Sequence, residues 1–312
     1  MKIGLDIMGG DFAPKATVLG AIIAYKALLP DQKLVLIGDK TLAEPYFSEQ
    51  EFNLDNIEFI HTTEVIGMAE HPTKAIVQKP NSSIGLGFQL LKEGAIDSFA
   101  SAGNTGAMLV GSMFSIKNIP GIIRPAITAM VPKLKNGYGI ILDVGANSDC
   151  KPDVLAQFGV LGSIFAENVL NIKRPKVGLI NIGEEEEKGN ILTLAAHSLM
   201  KDEKSINFVG NIEGRDLFDE KADVVVCDGF TGNIILKLAE TFYILTLKKG
   251  FKDEFFDRFN YENYGGSPIL GINSNVIIGH GISTPEAISN MLLLSRDMIE
   301  TKLVDKIKAA FN

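Results

Sequence analysis

Short β-branched and apolar runs alternate along the whole chain with longer stretches of helical period, and that alternation restricts the fold to the α/β class. The runs that read as buried strands are Lys2–Ile7, Lys33–Ile37, Ile57–His61, Asp97–Ser101, Tyr138–Val144, Lys176–Ile182, Ile206–Gly210, Ala222–Asp228 and Asn275–Gly279. Helical period recurs over Lys15–Leu29, Ser82–Glu93, Thr105–Ile116, Asp153–Leu170, Ile191–Lys201, Gly232–Lys249 and Pro285–Lys308. Ser82, Thr105, Thr231 and Thr284 (the last followed by Pro285) are good helix starters, because a short polar side chain satisfies otherwise unpaired N–H groups of the first turn. A chain of 312 residues is long enough to bury a full core as one unit or as two lobes around a cleft. The Pro- and Gly-rich stretch Lys117–Lys135 reads as a crossing between lobes.

The loops that follow the strands share a composition. They are Ala102-Gly103-Asn104-Thr105-Gly106, Gly145-Ala146-Asn147-Ser148-Asp149, Gly183 to Asn190, Asn211 to Asp216, and Asp228-Gly229-Phe230-Thr231-Gly232-Asn233. Turn chemistry alone accounts for Gly and Asn in one loop. The same mixture of Gly, Asn and an acid on five successive strand exits points to a site, because ligands of open α/β sheets bind outside the carboxyl ends of the strands. Loops 103–106 and 228–233 run straight into helices, where N–H groups reached through glycine suit phosphate or an oxyanion.

Other chemistries find little support. The 30 Lys and Arg against 38 Asp and Glu give a net charge of -8, which argues against a nucleic-acid coat. Two cysteines, Cys150 and Cys227, exclude a disulfide scaffold and fit a reducing cytoplasm. The opening Met1-Lys2-Ile3-Gly4-Leu5-Asp6 puts an acid inside the first apolar run, so it does not read as a signal peptide, and no run is long enough to span a membrane. There is no phosphate loop ending in Gly-Lys-Ser/Thr, and Gly85-Leu86-Gly87 lacks the third glycine of a dinucleotide turn. No serine elbow is present, and the four histidines have no metal-ligand spacing, so neither a metal nor an organic cofactor is called for. His280, in Gly279-His280-Gly281 directly after a strand, is the histidine placed to reach a site. The acidic run Glu184–Glu187 would ordinarily be a solvated face, but bracketed by Gly183 and Lys188-Gly189-Asn190 at a strand exit, one or two of its acids are expected in the cleft, with Lys188 as their partner and a candidate phosphate ligand.

The chain resembles the bacterial phosphate acyltransferase family of phospholipid synthesis. The resemblance runs from Asp6-Ile7-Met8-Gly9-Gly10-Asp11 through Ser101 to Ala107, Arg124 to Ile127, Leu142 to Asn147, Asn181 to Glu186, Lys188-Gly189-Asn190, Gly210 to Asp216, Cys227 to Phe230, Gly232-Asn233 and Tyr264-Gly265-Gly266. One departure is Phe12, where the family often has His. The resemblance implies an open mixed sheet with helices on both faces, similar to the isocitrate and isopropylmalate dehydrogenase and phosphotransacetylase group, in a homodimer. It implies transfer of a long acyl chain from acyl carrier protein to inorganic phosphate, giving an acyl phosphate for a downstream membrane acyltransferase.

Phosphate is already a competent nucleophile, so the protein's task would be to position two substrates and stabilise an oxyanion. Asn104, Asn147, Asn211 and Asn233 could donate neutral hydrogen bonds, Lys188 and Lys237 positive charge, and His280 a proton to the leaving thiolate. Asp6, Gly103, Thr105, Gly106, Asp143, Gly183, Glu184, Gly189, Asn190, Glu213, Asp228, Gly229 and Gly232 complete the expected substrate-binding set. A short-chain phosphotransacetylase acting on acyl-CoA, or a binding protein for an anion or metabolite, are the rival readings. Against the first stands the aromatic density of Phe242, Tyr243, Phe251, Phe255, Phe256, Phe259 and Tyr261. Residues 232–264 are expected to form a protruding helical hairpin, with Ile235, Leu238, Phe242 and Leu245 on one face. Lys248, Lys249 and Lys252 at its tip would meet acyl carrier protein or the membrane surface, making the enzyme cytoplasmic but peripherally membrane-associated.

Overall fold

The structure is a computed structural model that describes residues 1–53, 57–135 and 137–311; the Tyr261 side chain lies outside the described residues. The strands are β1 (Lys2–Asp6), β2 (Lys33–Gly38), β3 (Glu58–His61), β4 (Ser98–Ser101), β5 (Ala126–Pro132), β6 (Tyr138–Leu142), β7 (Lys176–Ile180), β8 (Asn207–Ile212), β9 (Val224–Val226), β10 (Ser267–Leu270) and β11 (Asn275–Ile278). The helices are α1 (Lys15–Tyr25), α2 (Lys40–Glu49), α3 (Pro72–Gln78), α4 (Ser83–Lys92), α5 (Thr105–Gly111), α6 (Pro152–Asn168), α7 (Ile191–Asp202), α8 (Gly229–Lys248), α9 (Glu254–Asp257), α10 (Pro285–Glu300) and α11 (Leu303–Phe311). The chain divides into two compact units, Met1–Asn118 with Tyr261–Val304, and Ile119–Asn260 with Asp305–Asn312.

In the first unit the strand order is β3-β2-β1-β4-β11-β10. All pairs are parallel except β10 with β11. Their interior residues, Ile3, Leu5, Leu34, Leu36, Phe99 and Ile277 among them, are fully buried, as strands covered on both faces require. The chain leaves β1 to one side for β2 and β3, then returns to the other side for β4. That reversal opens a crevice at the carboxyl ends of β1 and β4. Helix α10 packs on α1, where Gly20 allows the approach: a Cβ there would lie 2.5 Å from Cβ of Ile288.

In the second unit the order is β5-β6-β9-β7-β8, with β5 antiparallel to β6 and the rest parallel. The short strand β9, Val224-Val225-Val226, is completely buried at the centre. Its exit therefore stands between the exits of β6 and β7.

Several expected boundaries differ. The stretch Lys117–Lys135 contains β5, a strand that the Pro and Gly content hides, because the pairing to β6 is what stabilises it. The helix expected over Thr105–Ile116 is α5 followed by a π-turn at Ser112–Ile116, ended by Lys117 at φ 67°. The helix expected to run to Lys308 is two, α10 and α11, broken at Lys302 with φ 52°. The hairpin has one long arm only: after α8 the chain turns at Gly250 and makes a single helical turn, α9, capped by Asp253.

Candidate functional site

The exits of β6 and β9 interlock through one buried carboxylate. Asp143 follows β6 and is fully buried. It accepts from the backbone N–H groups of Ile127 (3.0 Å), Gly145 (3.2 Å), Ala146 (3.1 Å) and Asn147 (2.6 Å), and from the Asn147 amide (2.9 Å). Burial pushes the Asp143 carboxyl above the ordinary carboxylate range, while these donors oppose the shift by favouring the charged form. The loop folded around it donates back: Gly229 N–H bonds the Asn147 carbonyl at 2.7 Å. Asp228 caps α8, accepting from Thr231 N–H at 2.8 Å and Thr231 hydroxyl at 3.0 Å. Gly229 and Gly232 have to be glycine here. A Cβ on Gly232 would sit 1.9 Å from the Asp143 carbonyl oxygen.

Asn147 is spent on this scaffold, since its amide donates to Pro125 O at 2.8 Å as well as to Asp143. Its expected role as a direct substrate donor is corrected to that of a loop tie. Asn233 is different. It is exposed on the first turns of α8, and its Oδ1 lies 3.8 Å from where a Gly145 Cβ would be.

The β7 exit carries the acidic run, and Lys188 is not its partner. Glu184 pairs with Lys221 at 2.8 Å and with Arg215 at 3.8 Å, Glu186 with Lys201 at 2.7 Å. Those cations arrive from distant positions in the chain, which local spacing could not reveal. Lys188 is left exposed, with its stem over Gly183 and its ammonium making no ion pair with the described residues. Gly189 turns the chain at φ 111°, where a Cβ would lie 2.1 Å from Thr193 Oγ1, and Asn190 then caps α7 in a reciprocal box with Thr193. Asn211 donates to Glu185 O at 2.8 Å and is buried, so it holds the acidic loop. Glu213 pairs with Arg215 at 2.7 Å. Lys237 lies two turns into α8, paired with Glu240 at 2.8 Å, which corrects its expected place beside the loops.

The first unit holds the remaining expected residues. Asp6, at the end of β1, accepts from Ser101 hydroxyl at 2.7 Å across the β1–β4 crevice and from Met8 N–H at 2.9 Å. Burial pushes its carboxyl up, against the Ser101 and Ser83 hydroxyls. Asn104 caps α5 by accepting from Ala107 N–H at 2.9 Å, and its amide donates to the carbonyls of Gly67, Met68 and Glu70. With both ends of the side chain occupied, its assignment as an oxyanion donor is withdrawn. Gly103 lies buried beside Asp6 and Ser101, and Thr105 is exposed at the start of α5. Gly106 makes room for the Pro72 ring. His280 lies just past β11; its carbonyl accepts from Ser283 N–H at 2.9 Å. Ser101 was missed from the sequence because a strand serine carries no local signal of its pairing.

Neither thiol is poised as a nucleophile. Burial, then the nearby Asp143 and Asp228, push Cys150 up to about 12, and burial pushes Cys227 well above the ordinary range.

The family described as fatty acid synthesis protein matches residues 1–255. A phosphate acyltransferase of Dictyoglomus turgidum is 41% identical over 332 residues, covering 100% of this chain and 98% of the relative. One from Desulforamulus reducens is 44% identical over 327 residues, covering 99% and 96%. Among solved structures, a phosphotransacetylase from Streptococcus pyogenes superposes with TM-score 0.67 at 16% identity, covering 96% of this chain and 94% of the other. A branched-chain phosphotransacylase from Enterococcus faecalis gives 0.64 at 14%, covering 96% and 99%. At those identities the two structures share the fold.

Proposed function

Because this chain belongs to the phosphate acyltransferase family, we propose that it moves a long acyl chain from the thioester of acyl carrier protein to inorganic phosphate. The observation that carries direct attack is the state of the two thiols, both held protonated by burial and by the acids around them. A phosphate oxygen attacks the thioester carbonyl, and the carbon–sulfur bond breaks as the tetrahedral oxyanion collapses. The carrier's thiolate leaves and takes a proton from water. Lys188 supplies charge to phosphate, and Asn233 supplies a hydrogen bond to the oxyanion.

The test is purified protein with palmitoyl-acyl carrier protein, with and without phosphate. Acyl phosphate is expected only when phosphate is present, and intact-protein mass spectrometry after the thioester alone is expected to show no acyl adduct. A stoichiometric adduct would sink direct attack. Lys188→Ala is expected to raise the phosphate KM by one to two decades, the worth of a charge-assisted contact of about 1.5–3 kcal/mol. Asn233→Ala is expected to lower kcat about 100-fold with little change in KM, as loss of one oxyanion donor does.

The outer part of α8 supports the partner reading. Only Gly229 and Gly232 of its 20 residues are buried, while Leu238, Phe242 and Leu245 are each about half exposed. This stripe is the surface on which a second copy would complete the homodimer. At the tip, Phe251 is 66% exposed beside Lys248, Lys249 and Lys252, a basic and apolar point suited to an acidic carrier protein or anionic lipid. Phe255 is no part of that point: it packs with Phe259 against Phe218, their ring centroids 5.1 to 6.3 Å apart. Among the described residues no helix is long and apolar enough to cross a membrane, so attachment would be peripheral. A Lys248→Glu, Lys249→Glu, Phe251→Ser variant is expected to lose co-sedimentation with anionic vesicles or binding to carrier protein. Wild-type behaviour in both assays would remove the tip from either role.

A further inference from the structure

A cavity of about 350 Å³ opens within the second unit, over the carboxyl ends of β7 and β9 and among the first turns of α6, α7 and α8. Its floor is apolar, made by Leu155, Leu179, Ile180 and the protonated thiol of Cys227. Polar residues line the walls, yet most of their polar atoms are spent on the loop itself. Asn181 donates to Lys188 O at 3.0 Å and accepts from Ile182 N–H, Thr193 Oγ1 accepts from Asn190 N–H and donates to its carbonyl, and the Thr231 hydroxyl donates to Asp228. A phosphate placed inside would find few free donors and the Asp228 carboxylate close by. A hydrocarbon lying along the floor would cover Leu155, Leu179, Ile180 and Cys227, with the mostly hydrogen-bonded polar walls at its sides.

The rim has the opposite character. Lys188, next to the lining Gly189, holds an ammonium with no ion-pair partner among the described residues. Ile182, also lining the mouth, is an apolar side chain left 81% exposed. An apolar floor below a cation with no ion pair among the described residues suits a straight chain with an anionic or carbonyl head.

We propose that this cavity receives the first part of the acyl chain, with its reacting or anionic head at Lys188. The identification of the chain rests on the acyl-transfer reading above. At roughly 30 Å³ for a group the size of a water or methylene, about 350 Å³ holds roughly a dozen carbons. Ile180 and Leu155 then set the depth.

The experiment uses the full chain and dodecanoate as probe, with binding followed by calorimetry, alongside acyl transfer from carrier-bound chains of eight to eighteen carbons. Wild type is expected to bind dodecanoate. Ile180→Phe, which fills the floor, should weaken that binding at least tenfold and move the preferred chain at least two carbons shorter. Ile182→Ser alters only an exposed rim residue and is expected to weaken dodecanoate binding several-fold, so it decides the matter if Ile180→Phe does not fold. Dodecanoate binding that both folded variants retain within twofold overturns the proposal, as does no binding to wild type. Binding lost in the variants without any acyl transfer by wild type upholds the cavity while the functional reading fails. Acyl transfer with a chain-length profile unmoved by Ile180→Phe does the reverse.

Discussion

Asp143→Ala is expected to cost about 3–5 kcal/mol of stability, read as a large fall in the denaturation midpoint and early proteolysis of the second unit. Five N–H donors converge on that carboxylate from Ile127, Gly145, Ala146 and both nitrogens of Asn147. Each buried donor left without an acceptor costs about 1–3 kcal/mol, and loop relaxation toward water recovers part of the sum. Asp143→Asn is the sharper probe. It keeps the volume and one acceptor oxygen but sets an NH₂ group against N–H donors, so it should lose nearly as much as Ala. If Asp143→Asn were as stable as wild type, the carboxylate would not be what organises the loop. Acyl transfer should fall in parallel for both variants, because the same loop fixes the start of α8 through the Gly229–Asn147 bond.

Gly232→Ala is expected to reverse the ordinary sign of a helix substitution. In an open helix interior, Gly→Ala gains about 1 kcal/mol. Here the new methyl would lie 1.9 Å from the Asp143 carbonyl oxygen and 2.9 Å from Cys227 Sγ. The nearer atom is backbone, so relief requires shifting either α8 or the Asp143 loop, at about 1–3 kcal/mol or more. Thermal unfolding at least several degrees below wild type is the expected readout. Thr241→Ala, on the exposed outer part of the same helix, should change little and serves as the control. A Gly232→Ala protein more stable than wild type would mean that the two loops do not interlock as closely as described.

Much of the scaffold and the chemical character of the loops were legible without coordinates. Strands such as β1, β2, β6 and β7 are continuous apolar runs because parallel strands are buried on both faces, and that leaves a mark in the sequence. Helix starts at Ser82 and Thr284 were equally plain, because a cap is a local hydrogen bond between neighbours. The Gly, Asn and acid content of the strand exits was visible for the same reason: turns and caps are short-range.

What each loop residue does was decided by contacts that no spacing encodes. Asn104 and Asn147 look like substrate donors in their motifs, yet carbonyls 34 to 37 positions back and 22 positions back take their amides. Lys188 looks like the partner of the acidic run, yet Lys201, Lys221 and Arg215 reach those carboxylates first and leave it without an ion pair among the described residues. Strands β5 and β10, and the return of Tyr261–Val304 to the first unit, depend on pairing with segments far away in sequence. Local propensity specifies which elements form. Which polar group is spent on the fold and which is left for a ligand depends on long-range proximity, and only the folded chain supplies that.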